Sequence, residues 1–306
     1  MKPFSRGTRP GAFTLVEMLV SISVLALLVG ILSQMLDGTS ILIRFHNKSI
    51  DVDTKAGALL DRMAIDFGGM VKRTDVSYYL KSSVAETTSP QNDIPTGSSS
   101  SVNANPMVGN DQMAFYSEVS GYYLTSGTEQ SPLSLVAYRL NTTTYEMERF
   151  GKGLYWNGAT GASSSDQPVY LPVTLGAQWS TVVSPIATDS DYQSVGPPVF
   201  RFEYYYLLKD GTLSSTPWEA SNTSVNGLQD VAAIVVTFAA VDSQSRNIIS
   251  NTTLASLGSQ MNDFSSTMTP GALEAQWKGV FQAANLPSTV LSALHVYHRY
   301  FYLNTN

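Results

Sequence analysis

From Met18 to Leu36 the chain runs 19 residues without a charged side chain. Coiled as a helix, that stretch extends roughly 28 Å at 1.5 Å per residue, close to the hydrocarbon thickness of a bilayer. Residues 1–12, MKPFSRGTRPGA, precede it and carry Lys2, Arg6 and Arg9 with no acid. A basic flank of this kind stays cytoplasmic and sends the rest of the chain to the far side of the membrane. Three readings compete. A secretory signal peptide would need a small-residue cleavage site after the apolar run, but Leu36 is followed by Asp37-Gly38-Thr39-Ser40. A plain signal anchor, or a leader removed ahead of the apolar run, both agree with the hydropathy.

Glu17 separates these two. A carboxylate inside a membrane helix costs about 2.5–3.5 kcal/mol even on lenient insertion scales, so it marks function by default. The segment Gly11-Ala12-Phe13-Thr14-Leu15-Val16-Glu17 resembles the processing site of type IV pilins and pseudopilins. The resemblance implies a cut by prepilin peptidase after Ala12, N-methylation of Phe13 as the new first residue, and Glu17 in fifth place. It further implies that Glu17 pairs with the N-terminal amine of a neighbouring subunit during assembly. The family usually has Gly immediately before the cut, whereas here it is Ala12, with Gly11 one step back. A cut after Gly11 would move Glu17 to sixth place.

Past Leu36 the apolar pattern turns periodic. Val52, Ala56, Leu59, Leu60, Met63, Phe67, Met70 and Val71 recur at spacings of three and four, one face of an amphipathic helix continuing over residues 37–75. Asp51–Lys55 and Arg62–Asp66 are opposite charges four apart, read as surface pairs worth about 0.2–0.5 kcal/mol each. Lys72 and Arg73 fall where the negative pole of the helix is expected. The stretch DTKAGALLDRMAIDFGGMVKR is similar to J-type minor pseudopilins of type II secretion. AFTLVEMLVS, DRMAIDFGGMVKR and QDVAAIVVTFAAVDSQSR together resemble the pilin-like family called Verru_Chthon cassette protein C.

Residues 82–112 are dominated by Ser, Asn, Thr, Pro and Gly and read as a long flexible surface loop. Strands are expected at 113–119, 122–125, 135–140, 145–150, 199–208, 231–241 and 294–303, with Asp210-Gly211 as a hairpin turn. The 231–241 run, nearly all β-branched or apolar, is expected to be central and covered on both faces. Short helices are expected at 254–262 and 272–284. The expected fold class is α+β: a long N-terminal helix, its first half transmembrane (13–36) and its second half packed on an antiparallel sheet within a β-rich outer domain, 76–306.

Composition excludes more chemistry than it suggests. There is no cysteine, so thiolate catalysis, disulfides and thiolate metal sites are ruled out. Only 14% of residues are charged against about 25% in ordinary soluble domains, and the formal net charge is -6, which argues against nucleic acid as a partner. His295 and His298, three apart in an expected strand, would point to opposite faces and not form a metal pair; His46 stands alone. Asp189-Ser190-Asp191 opens like a calcium loop but lacks the Gly and closing Glu that such a loop needs. Tyr204-Tyr205-Tyr206 is read as sheet packing. No catalytic residue, metal or cofactor is therefore expected. The expected role is an assembly subunit of a type II secretion or type IV pilus-like apparatus, held in the inner membrane with its outer domain periplasmic or at the cell surface. Its expected partners are prepilin peptidase and other pilin or pseudopilin subunits. The alternative is a signal-anchored extracytoplasmic binding module that does not form filaments.

Overall fold

An unbroken apolar run followed by an amphipathic one can share a single helix, and here they do: α1 spans Leu15–Gly68. The computed structural model describes residues 14–72, 110–123, 130–141, 143–156, 191–215, 217, 228 and 230–303, with the backbone alone described over 37–48. The chain divides into two units, Met1–Lys48 and Ser49–Asn306. In the first, Leu15–Leu36 has a mean hydropathy of 2.6 and none of it is buried. A helix apolar all round needs an apolar surrounding, which a bilayer supplies.

In the second unit, α1 packs the expected face. Val52, Ala56, Leu59, Leu60, Met63 and Phe67 are buried, with Met70 beyond the helix end and Val71 packed alongside. The helix stops at Gly68, short of the expected end at residue 75, and its last turn holds no basic side chain. Gly69 and Val71 instead hydrogen-bond a strand: Glu118 N donates to Gly69 O at 2.8 Å, and Val71 N to Tyr116 O at 2.9 Å. A Cβ on Gly69 would stand 2.9 Å from Ser117 Oγ, so the close approach needs glycine. Lys72 lies past the helix, and Arg73 is outside the described residues.

The strands are β1 (Met113–Ser117), β2 (Gln130–Asn141), β3 (Glu146–Tyr155), β4 (Gln193–Leu208), β5 (Leu213–Ser214), β6 (Val231–Val241) and β7 (Leu294–Tyr302). All pairings are antiparallel, in the order β1-β2-β3-β4-β6-β7, with β5 a short hairpin partner of β4. β6 has the predicted bounds and only Ala232 along it is less than fully buried, as a central strand requires. Of the strand expected over 122–125, Tyr122 makes an isolated bridge to Lys152, and residues 124 and 125 lie outside the described residues.

β4 joins two halves of the sheet. Its first residues pair with β3, up to Glu146 opposite Pro198, and from Val199 onward it pairs with β6. The change comes at Gly196-Pro197-Pro198, where Gly196 takes φ +82° and Pro198 has no N–H to donate. Where β3 diverges, the opened edge of β4 is sealed by side chains. Phe202 N donates to Asn110 Oδ1 at 2.7 Å, and Tyr204 N to Asp111 Oδ2 at 2.9 Å. Asn110, Asp111 and Gln112 are buried. The end of the expected flexible loop is thus an anchor, because an unpaired strand edge inside the protein needs hydrogen-bond partners. Residues 73–109 lie outside the described residues.

One sheet face takes α1, through Phe202, Tyr204, Tyr206, Ile234, Val236 and Phe238. The other takes α2 (Asn251–Gln260) and α3 (Ala272–Ala283), close to their expected positions, with a single turn α4 (Ser288–Leu291) leading into β7. Leu254, Leu257, Trp277 and Phe281 pack there on Phe200, Tyr205, Val235 and Ala239. Trp277 Nε1 donates to Asn262 O at 3.0 Å, and Ser250 caps α2. Arg201, buried on this face, pairs with Asp263. The tyrosine triplet divides as strand geometry dictates: Tyr204 and Tyr206 face α1, while Tyr205 stacks on Phe264 at 4.2 Å.

One group on the α1 face departs from the sequence reading. Asp66 is fully buried, and Arg149 grips it with both nitrogens, Nε to Oδ2 at 2.7 Å and Nη2 to Oδ1 at 2.9 Å. Tyr138 donates its hydroxyl to the same carboxylate. Arg62 sits 3.3 Å away and is half-exposed. Asp66 is therefore the centre of a buried cluster and not a member of a surface pair. Burial, reinforced by the Asp66 carboxylate, holds the Tyr138 hydroxyl far above the usual phenol range. Asp51–Lys55, at 2.8 Å, is the surface pair the sequence suggested.

The two strand histidines part as expected. His295 lies against Tyr297, whose hydroxyl reaches Asp53 on α1 at 2.6 Å. His298 faces the other way, with Nδ1 2.8 Å from Thr237 Oγ1 and Nε2 buried without a partner among the described residues. Burial lowers the pKa of both rings below the ordinary value; Asp53 and Asp242 oppose this at His295, and Glu274 at His298, where Lys278 adds to it. Lowered folded-state values mean that the unfolded chain takes up protons first as pH falls below about 6.5. Stability is then full above that pH and is lost progressively below it. Thermal unfolding of a fragment beginning at Ser49 is expected to show Tm falling between pH 7 and pH 5, with a shallower slope in His298→Gln.

Candidate processing and assembly site

At the start of α1, Thr14 is the last non-helical residue and Leu15 the first helical one. Glu17 then stands three residues past the cap, and the two side chains close on each other. Glu17 Oε2 accepts from Thr14 N at 2.8 Å and from Thr14 Oγ1 at 3.0 Å, and Glu17 N donates to Thr14 Oγ1 at 3.3 Å. This is a reciprocal capping box, the arrangement that Thr-x-x-Glu favours at a helix start. It gives the carboxylate two donors within its own chain and places its charge at the positive end of the helix dipole.

The next polar groups are also closed off. Ser21 Oγ donates to Glu17 O and Ser23 Oγ to Leu19 O, each at 2.8 Å. Hydroxyls bonded back to the helix carry little cost in hydrocarbon, where no water can satisfy them. Glu17 is therefore the one ionisable side chain from Thr14 to Leu36, with one oxygen, Oε1, that makes no hydrogen bond within the described chain.

Gly11, Ala12 and Phe13, the expected processing residues, lie outside the described residues; Glu17 lies within them. Thr14 was not singled out from the sequence, although Thr-x-x-Glu ahead of an apolar run was the signal for it. Asp189 and Ser190 are outside the described residues, as is the His46 side chain. Among the described residues no group of three His, Asp or Glu side chains is placed to hold a metal ion.

Residues 8–33 match the family described as the prokaryotic N-terminal methylation motif. The match spans the basic leader's end, the expected cleavage site, the capping box and most of the apolar helix. The motif is that of type IV pilin-like substrates of prepilin peptidase, and with the apolar helix it supports a membrane-anchored chain that enters pilin-type assembly. No match was found among curated proteins.

Proposed function

We propose that the chain is a minor pseudopilin-like subunit that assembles and does not catalyse, serving a type II secretion or type IV pilus-like apparatus from the inner membrane. The observation that carries this reading is the register between the motif at residues 8–33 and Glu17. A cut after Ala12 leaves Phe13 as a methylated first residue and Glu17 as the fifth, at the head of a helix that reaches the outer unit without interruption. The free amine of a neighbouring subunit is the complementary charge for Glu17, since two opposite charges in a low-dielectric site attract strongly and each is costly alone. In this reading the outer unit lies on the periplasmic or cell-surface side, which the basic leader supports. Its length favours a minor over a major subunit, and the likenesses to J-type minor pseudopilins and to Verru_Chthon cassette protein C belong to the same proposal.

The test is the mature N-terminus, read by mass spectrometry on protein made in cells that contain prepilin peptidase. A chain beginning at Phe13 and heavier by one methyl group is the expected result. Intact Met1, under conditions where a control prepilin is cut, would leave a signal-anchored binding module instead.

A further inference from the structure

The two ends of the sheet are finished differently. At one end the outer edge of β1 is closed by the chain that leaves α1, through the bonds from Val71 N to Tyr116 O and from Glu118 N to Gly69 O. At the other end lies β7, which pairs with β6 at all nine of its residues. Leu303 N donates to Ala232 O, so by the alternation of an antiparallel ladder Phe301, Arg299, Tyr297 and His295 turn their backbone groups towards β6. Val296, His298, Tyr300 and Tyr302 turn theirs outward. Among the described residues no hydrogen bond reaches those four outward amides and carbonyls.

Open edges invite unplanned pairing, and folded proteins blunt them with bulges, prolines, lysines or a covering segment. Among the described residues β7 has none of these. Its register on β6 shows no shift, its sequence LHVYHRYFY holds no proline or lysine, and its one fixed charge, Arg299, is bonded to Asp61 at 2.7 Å. This chain does seal an edge where β4 opens from β3, with the side chains of Asn110 and Asp111. On β7 the exposed feature is aromatic: Tyr302 is 71% exposed, and its ring stacks at 6.3 Å on that of Tyr300.

We propose that β7 is a docking edge, to which an extended segment of another polypeptide adds as one more antiparallel strand. Outward N–H and C=O groups that recur every second residue, about 6.8 Å apart, are matched in register by an extended backbone. The flanking side chains set the rest of the partner's chemistry. On one face the added strand lies beside Tyr300 and Tyr302, and on the α1 face beside Arg299, whose charge Asp61 already meets. Uncharged β-branched or aromatic residues suit both faces. The partner is a different chain and not a second copy. Tyr297 meets Asp53, Arg299 meets Asp61 and Phe301 meets Phe67, so β7 runs in the same sense as α1. Two copies joined β7 to β7 would set their α1 helices in opposite senses, whereas chains anchored in one membrane enter from the same end of α1. That last step rests on the membrane anchor; the docking edge itself does not.

The experiment follows amide hydrogen exchange along β7 in the full chain in detergent micelles, alone and with a short peptide of alternating valine and threonine flanked by lysines. Alone, the amides of Val296, His298, Tyr300 and Tyr302 are expected to exchange at least tenfold faster than those of Tyr297 and Arg299, which β6 holds. Added peptide is expected to slow the first four saturably below about 1 mM, with affinity at least tenfold weaker in Tyr300→Pro. Proline at an edge position whose N–H faces outward spares the ladder to β6. Tyr302→Pro, at the exposed end of the strand, is also expected to weaken binding and keeps the test valid if Tyr300→Pro fails to fold. The proposal is overturned if the four amides are already slow without peptide, which would mean that the chain covers its own edge. Slowing that rises with protein concentration alone would assign the edge to a second copy and overturn it too. So would no slowing at about 1 mM peptide, equal slowing by the peptide N-methylated at alternate residues, or full affinity in Tyr302→Pro and in folded Tyr300→Pro.

Discussion

Asp66→Ala is expected to cost the outer unit about 3–5 kcal/mol, the usual consequence of removing one partner from a buried ion pair. Much of a domain's whole stability, typically 5–15 kcal/mol, would go with it. The reason is what remains. Arg149 keeps its charge beneath α1, with 13% of its side chain exposed, and loses both of its acceptors. Tyr138, fully buried, loses the acceptor for its hydroxyl. Arg62 can turn to solvent and adds little. Urea unfolding of a fragment from Ser49 measures the loss. The attribution to an orphaned charge, as opposed to lost packing, is checked by Asp66→Leu combined with Arg149→Met. That pair removes both charges at similar volume and is expected to lose clearly less than Asp66→Ala alone. If the double variant is as unstable as the single, the cluster is acting through shape and not through charge.

That cluster also shows where sequence reasoning stopped. Asp66 is three residues past Met63 and four before Met70, so the same spacing that marked the apolar face of α1 placed it on that face. Its charge and the position of Arg62 four residues earlier suggested a surface pair instead. Nothing local could reveal Arg149, 83 residues away, which makes the burial tolerable. The same contrast holds across the fold. β6 announced itself because a strand covered on both faces needs an almost continuous apolar run, and no other periodicity fits it. Asn110 and Asp111 did not, because their task is to finish an edge that exists only once β3 has diverged from β4. The end of α1 was placed too late because Lys72 and Arg73 suited a helix pole, while the Gly68-Gly69 pair actually ended it to let Gly69 reach β1. The N-terminal site was more legible than any of these, being confined to a few consecutive residues. Even so, Thr14 passed unnoticed until its contact with Glu17 was in view.

Glu17→Ala is expected to act in opposite directions on anchoring and on assembly. A carboxylate in the membrane helix costs about 2.5–3.5 kcal/mol on insertion scales, so its loss should leave the single chain at least as firmly inserted. Assembly should fail, because the neighbouring subunit's amine, itself in a low-dielectric site, would have no counter-charge. The capping box allows a finer cut. In Thr14→Val the hydroxyl donor is removed while the Thr14 backbone N–H and the carboxylate remain. Loss of an N-cap side chain costs about 0.5–2 kcal/mol, so the helix start should loosen and assembly should fall without vanishing. Thr14→Ser keeps a hydroxyl and should assemble as the parent does. The measurements are carbonate-resistant membrane retention for anchoring and cross-linked multimers for assembly. If Glu17→Ala chains are retained in the membrane and still cross-link like the parent, the carboxylate has no part in subunit pairing. The capping box would then serve only to make a charged residue tolerable at the start of a membrane helix.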